Sequence, residues 1–240
     1  LYSEAEKYLD KIQKNSGNER YLMNKAVIYY MTNSFLKLRD FLQEHDSLTE
    51  TNPAAANLLG NAEFSVGNWD RAAAAYQNAF ELDDSQPQYA VNAARALEKA
   101  AAEGAGDSEA AAEMYGRAAN VFFRSGDYDE LAGILPYLEK IDSKGAETEI
   151  LKAKILFHDG QLEEANTILG KSIKARTADS TVYYLNALIE AGNNKPKKAA
   201  ASFKKAVDIE PDYYLYHFKY AEFLFLTNGK YRPSLENALR

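Results

Sequence analysis

The sequence predicts an all-α fold assembled from repeated antiparallel helix pairs, and three observations carry that prediction. Apolar residues recur at helical spacing, as in Leu151, Ile155, Leu156 and then Leu162, Ala165, Leu169. No convincing segment alternates with the period of two that a half-buried strand shows. Short breaks fall at Asn33, Gly67, Gly126, Gly160 and Asn194, at intervals of 34, 59, 34 and 34 residues, with a further break near Asn228-Gly229. Small residues keep the same ruler. In the first helix of each pair they are Ala26, Gly60, Ala119, Ala153, Ala187 and Ala221. In the second helix the matching positions are Leu38, Ala72, Leu131, Ala165 and Ala199. Three series of different residue types agree on one period, so chance does not explain it.

Taken in order, residues 1–14 read as the second helix of a pair, with Ala5, Leu9 and Ile12 on one face. The pair around Asn33 follows, then the pair around Gly67. The interval of 59 leaves 25 residues beyond one period, enough for one helix and its loop. That extra helix is placed at about 86–103, before Gly104-Ala105-Gly106, and Asp107 reads as the N-cap of a long helix to about Arg124. Three more pairs turn at Gly126, Gly160 and Asn194. Residues 232–240 read as a second helix cut short. The expected organisation is a single solenoid over 1–240. Its N-terminal lobe is 1–84, the irregular helix lies in 85–106, and the C-terminal lobe is 107–240, with a change of superhelical direction at the insertion. Residue 1 is Leu, and both ends read as cut from a longer array. Tyr213–Leu226 is apolar and aromatic almost all round and needs cover on several sides.

A helix–turn–helix repeat of about 34 residues is the period of the tetratricopeptide repeat (TPR). The best unit here runs Asn57-Leu58-Leu59-Gly60-Asn61-Ala62, Phe64, Gly67-Asn68-Trp69-Asp70-Arg71-Ala72, Tyr76, Ala79 and Phe80. A second has Tyr183, Ala187, Ala199, Phe203, Ala206 and Pro211. These resemble the TPR pattern of small residues, aromatics and a closing proline. The unit at Asn33 departs from it with Leu38 and Leu42, and the unit at Gly160 with Leu169. The resemblance implies a right-handed superhelical solenoid of antiparallel helix pairs that holds other proteins or peptides. Physically, Ala or Gly at the crossing lets two helices approach, while Tyr76 or Phe203 fills the space beside it. One hairpin cannot bury its apolar face alone, so neighbours stack.

Composition limits the chemistry. The 240 residues carry 28 Lys and Arg against 35 Asp and Glu, a formal charge of −7. Such a chain is a poor non-specific partner for nucleic acid or anionic lipid. No cysteine is present, which removes disulfides, thiol catalysis and thiolate metal sites. His45, His158 and His217 are far apart in sequence, so no histidine-rich metal site is read. No apolar run approaches the ~18 residues of a membrane span. Ala165–Ser172 fits a permissive phosphate-binding loop, but Ala165 is a packing alanine and no strand precedes it. Gly104-Ala105-Gly106 follows a helix and reads as a turn. Lys195, Lys197, Lys198, Lys204 and Lys205 form a basic patch, read as a solvated helix face. No cofactor, no metal and no catalytic residue is singled out, so an enzyme is not expected. Cytoplasm and a bacterial cell envelope both fit.

By the resemblance, the first helices line a concave groove. The partner-binding residues placed there are Asn57, Asn61, Phe64, Asn120, Phe123, Arg124, Lys154, His158, Tyr184 and Phe218, with Phe157 beside them. Asn offers a donor and an acceptor and suits an extended peptide backbone. Arg124 and Lys154 suit a carboxylate. Asn57 and Asn61 match the start of the set with which one TPR subclass grips chaperone C-termini. The following positions, Arg117, Glu147 and Leu151, break that match. Of the 17 Tyr, Tyr183, Tyr184, Tyr213, Tyr214, Tyr216 and Tyr220 crowd the C-terminal lobe. The expected function is a module that binds a peptide or protein segment in its groove. The alternative is a structural scaffold of a larger assembly acting through its open ends and Tyr-rich lobe. The expected partner is protein or peptide, without nucleic acid or membrane insertion, and self-association through the open ends is a further expectation.

Overall fold

The breaks of the sequence ruler are left-handed turns. Asn33, Gly67, Gly126, Gly160 and Asn194 all have positive φ, between +54° and +85°. A residue in that conformation ends a helix by aiming the next backbone N–H back at an orphan carbonyl. The bond is the same at four of the turns. Ser34 N donates to Tyr29 O at 2.8 Å, and Asn68 N to Glu63 O, Gln161 N to Leu156 O and Lys195 N to Glu190 O at 2.9 Å each. Gly and Asn are the residues that enter this region at least cost, which is why the ruler is written in them.

The computed structural model describes residues 4, 18–104, 106–227 and 230–239. Among them are fourteen α-helices and no strand. The reading of residues 1–14 as a helix and the break at Asn228-Gly229 lie outside the described residues, Glu4 aside. The chain forms two compact units divided between Ser125 and Gly126. The first holds α1 (Glu19–Met31), α2 (Phe35–Glu44), the short α3 (Asp46–Thr51), α4 (Pro53–Ser65), α5 (Trp69–Leu82), α6 (Pro87–Ala102) and α7 (Ser108–Ser125). The second holds α8 (Tyr128–Asp142), α9 (Ala146–His158), α10 (Leu162–Ala175), α11 (Ser180–Gly192), α12 (Pro196–Ile209), α13 (Tyr214–Leu226) and α14 (Arg232–Ala238).

In the first unit, Asn18 and Asn52 cap α1 and α4 by accepting from Arg20 N at 2.9 Å and Ala55 N at 3.1 Å. Asn52 also donates to Glu19 at 2.9 Å, which sets the starts of α1 and α4 side by side. Leu22, Ala26, Leu38, Leu42, Leu48, Ala55, Leu58 and Ala62 form one buried cluster from α1 to α4. The helix read as an insertion is α6. It packs on α5 and forms a hairpin with α7, which is why the division falls at Ser125 and not within 85–106. Asp107 starts α7 by accepting from Glu109 N at 2.8 Å. Arg117 of α7 lies 4.7 Å over the ring of Phe80 in α5, and Asn92 of α6 donates to Asn57 of α4 at 3.2 Å. The unit therefore has α4 and α6 in one layer and α5 and α7 in the other.

The crossing positions are buried in both units. Ala26, Ala153 and Ala187 are fully buried in first helices, and Leu38, Ala72, Leu131, Ala165 and Ala199 in second helices. A Cβ on Gly60 would come 2.5 Å from the Tyr76 ring. Two buried carboxylates sit at one register, four residues before the turn. Glu63 accepts from Gln43 at 2.9 Å and from Asn68 at 2.7 Å, and Glu190 pairs with Lys195 at 3.2 Å. Each carboxylate thus ties the end of a first helix to the start of the second. The phosphate-loop-like Ala165–Ser172 is part of α10, so its amides are spent on helix hydrogen bonds.

Two substitutions test this packing. Gly60→Ala is expected to destabilise the first unit by about 1–3 kcal/mol in urea unfolding, because a fixed methyl meets a buried ring. Arg176→Gly is expected to stabilise the second unit by about 0.5–1 kcal/mol, since a bulky residue pays for left-handed backbone that glycine adopts freely. Arg176 ends α10 at φ +62°.

Candidate functional site

In the first unit the surface begins with α4. Asn57 and Asn61 stand one turn apart and half-buried, with Phe64 on the same helix. Asn57 Oδ1 accepts from Asn92, and Asn61 Oδ1 accepts from the Tyr76 hydroxyl at 2.8 Å. Burial pushes the Tyr76 hydroxyl above its usual range, so it stays a protonated donor. Among the described residues neither amide N–H₂ of this pair donates a hydrogen bond. Two oriented donors are therefore left on one strip. Phe64 meets Trp69 edge-on at 4.8 Å, and one repeat earlier Tyr30 meets Phe35 at 6.2 Å. Helix α1 packs on α4, and its Val27 and Tyr30, 34 residues before Asn61 and Phe64, are exposed. The strip thus runs from an apolar edge on α1 to the amides of α4 and α6.

Asn120, Phe123 and Arg124 lie on α7, in the layer of α5. All three are half-buried and engaged within the chain. The amide that the structure brings to Asn57 is Asn92, not Asn120. Asn92 was missed because α6 was read as lying outside the ruler. The available signal was its offset of 35 residues from Asn57, close to one period.

In the second unit, Lys154 is 1% exposed, and its Nζ lies 3.5 Å from Asp179 Oδ2. Asp179 Oδ1 meanwhile caps α11 by accepting from Val182 N at 2.7 Å. Lys154 therefore holds two helices together and does not face an open groove, contrary to its placement as a carboxylate ligand. His158 is exposed and stacked on Tyr128, centroids 3.6 Å apart and 16° between planes. Tyr184 is half-buried between Tyr216 at 5.1 Å and Phe203 at 6.3 Å. The Tyr216 hydroxyl lies 3.0 Å from that of Thr181 and 3.4 Å from that of Ser180. Phe218 is exposed, with the Lys219 ammonium 5.6 Å over its ring. Phe157 is half-buried. Of the basic patch, Lys195 pairs with Glu190 and Lys204 with Asp208 at 2.8 Å. Among the described residues no group of three His, Asp or Glu side chains could hold a metal ion, and no helix is long and apolar enough to cross a membrane.

Helix pairs on a 34-residue period, joined by left-handed turns and crossing through small residues, define a helical-repeat scaffold. Residues 57–100, which span most of α4, all of α5 and most of α6, match the tetratricopeptide-repeat family model. Over 252 residues the chain is 31% identical to a TPR repeat-containing protein of Treponema pallidum (strain Nichols), covering 100% of this chain and 30% of that protein. By the family model and by this relative, the chain carries tetratricopeptide repeats. It is also similar to the solved hetero-tetramer Cut9–Hcn1 of APC/C, with 10% identity, a TM-score of 0.45, and coverage of 100% of this chain and 49% of that one. A thermophilic TPR protein of Thermus thermophilus has 14% identity and a TM-score of 0.35, with 86% and 99% covered.

The aromatic packing of the second unit has a pH signature. Burial, and after it the neighbouring Tyr216 and Tyr213, push the Tyr184 hydroxyl up to about 12. An unfolded tyrosine ionises near ~10. The stability tied to neutral Tyr184 is therefore fully present below that value and is lost as pH rises through about 12. Thermal melts between these pH values should show a steeper alkaline loss for the parent chain than for Tyr184→Phe.

Proposed function

We propose that this chain is a non-enzymatic protein-interaction module that holds an extended peptide or protein segment against the first-helix face of its first unit. TPR folds serve as scaffolds for protein–protein contact, which supports the coarser part of this reading. The observation that carries the finer part is the amide strip. Asn57 and Asn61 have their carbonyl oxygens held by Asn92 and Tyr76, which orients their N–H₂ groups as donors. Donors fixed in this way suit the carbonyls of an extended backbone, because little side-chain freedom is lost on binding. Beside them, Val27, Tyr30 and Phe64 offer apolar area for the segment's side chains. A protein ligand fits the net charge of −7 better than a nucleic acid does.

A second reading, a structural part of a larger assembly, is favoured by one observation: the apolar side chains that α13 leaves uncovered. A random peptide library selected on the immobilised chain separates the two. Peptides selected on the parent should lose about tenfold in affinity to an Asn57→Ala, Asn92→Ala double variant, the loss of one or two net hydrogen bonds. They should also be lost to Val27→Glu, with helicity unchanged in both variants. Peptides held equally well by parent and variants would refute the strip. Failure to select any peptide would favour the assembly reading.

A further inference from the structure

Helix α13 presents two aromatic sides with different fates. Tyr216, Tyr220 and Phe223 face back into the second unit, where Tyr216 meets Tyr184, and Tyr220 and Phe223 meet Phe203 at 5.8 and 5.3 Å. At 100° per residue, Tyr214, Leu215, Phe218, Lys219, Glu222, Phe225 and Leu226 fall within about 140° of arc on the other side. This side is open. Tyr214 is 62% exposed, Phe218 44%, Phe225 62% and Leu226 74%. Four large apolar side chains this exposed on a single helix exceed the scattered surface apolars of ordinary proteins.

The order of residues along this side says what fits it. An apolar pair, Tyr214-Leu215, opens it and an apolar pair, Phe225-Leu226, closes it. Phe218, the cation Lys219 and the anion Glu222 lie between them. The pattern is close to symmetric about residue 220. An identical helix laid antiparallel sets Tyr214 beside Phe225 of the second copy and Leu215 beside its Leu226, because the two-fold axis keeps each edge of the strip on its own side. It also brings Lys219 within one turn of the opposite Glu222, and by symmetry Glu222 near the opposite Lys219. Both apolar ends and both charges are thereby matched. Within one chain Lys219 and Glu222 already pair at 2.9 Å while remaining partly exposed, so both head groups stay within reach of a second copy.

We infer that the exposed side of α13 is a self-association surface, on which two copies of this chain pair through antiparallel α13 helices related by a two-fold axis. Such an interface is isologous and closes at a dimer. Aromatic side chains such as Tyr214, Phe218 and Phe225 are among the residues that protein interfaces favour. The surface lies in the second unit and the amide strip in the first, so the inference does not depend on the peptide-binding reading.

Sedimentation equilibrium of the full chain, from micromolar to hundreds of micromolar, tests it. The parent should follow a monomer–dimer equilibrium, and Phe218→Glu should be monomeric throughout. Lys219→Glu alone and Glu222→Lys alone should each weaken the dimer by about tenfold or more, because each sets like charges opposite one another. An equimolar mixture of these two single variants should recover dimerisation, as a heterodimer with opposite charges at both contacts. Far-UV circular dichroism confirms that each variant keeps its helicity. If Phe218→Glu fails to fold, the charge-reversal mixture still decides the question. A parent that stays monomeric, single charge reversals without effect, or a mixture that does not recover would each overturn the inference.

Discussion

The helix pairs in both units depend on crossings at which the first helix offers no more than Ala or Gly, with Ala or, as at Leu38, Leu on the second helix. Where Ala187 meets the second helix, or Gly60 the ring of Tyr76, the backbones approach closely enough for a single large side chain to fill the remaining space. Packing at organic-crystal density leaves no slack at such points. Two consequences follow. The hairpin angle is set by sterics and not by polar contacts, so charged and amide residues elsewhere on the first helices can vary. Each hairpin also leaves an apolar side that only a neighbouring hairpin covers. The crossing thus accounts both for the freedom of the surface and for the stacking of the repeats.

The turn is the second fixed element. A left-handed residue places the following helix by a backbone hydrogen bond that does not depend on the identity of its neighbours. The unit at Asn33 could therefore keep the frame with Leu38 and Leu42 in place of the usual small and aromatic residues. Glu63 and Glu190 reinforce the same joint from the side-chain direction, reaching from the end of one helix to the first residues of the next. A buried carboxylate is tolerated there because its partner comes from the same turn.

This explains what could be read from the sequence. The turns and crossings are local: each needs one residue type at one spacing, so a ruler of Gly, Asn and Ala finds them. The candidate site was legible only in part. Asn57 and Asn61 were recognisable as amides on a first helix, but Asn92 was not, because α6 lay off the ruler while its fold follows that of the other hairpins. Lys154 was misplaced for a different reason. It is buried and meets Asp179, 25 residues away in the next hairpin, and nothing in the helix that carries Lys154 announces that partner. The short α3 was not anticipated at all, since six residues are too few to show a helical period.

Register within the repeat therefore specifies position and leaves the role open. Asn61, Lys154 and Glu222 occupy one equivalent place in three first helices. The first is an amide oriented by a buried tyrosine, the second a buried cation that neutralises a helix cap, and the third an exposed anion paired along its own helix. The backbone differs little between them. What differs is the side chain's neighbour: Tyr76 from the same hairpin, Asp179 from the following one, and Lys219 from the same helix. At this register Lys154, whose neighbour comes from the next hairpin, is withdrawn from the surface and serves stability. Asn61 and Glu222, whose neighbours come from the same hairpin or helix, stay at the surface and remain open to a ligand. Recognition in this chain consequently concentrates at the positions that the stacking of the repeats has not already used.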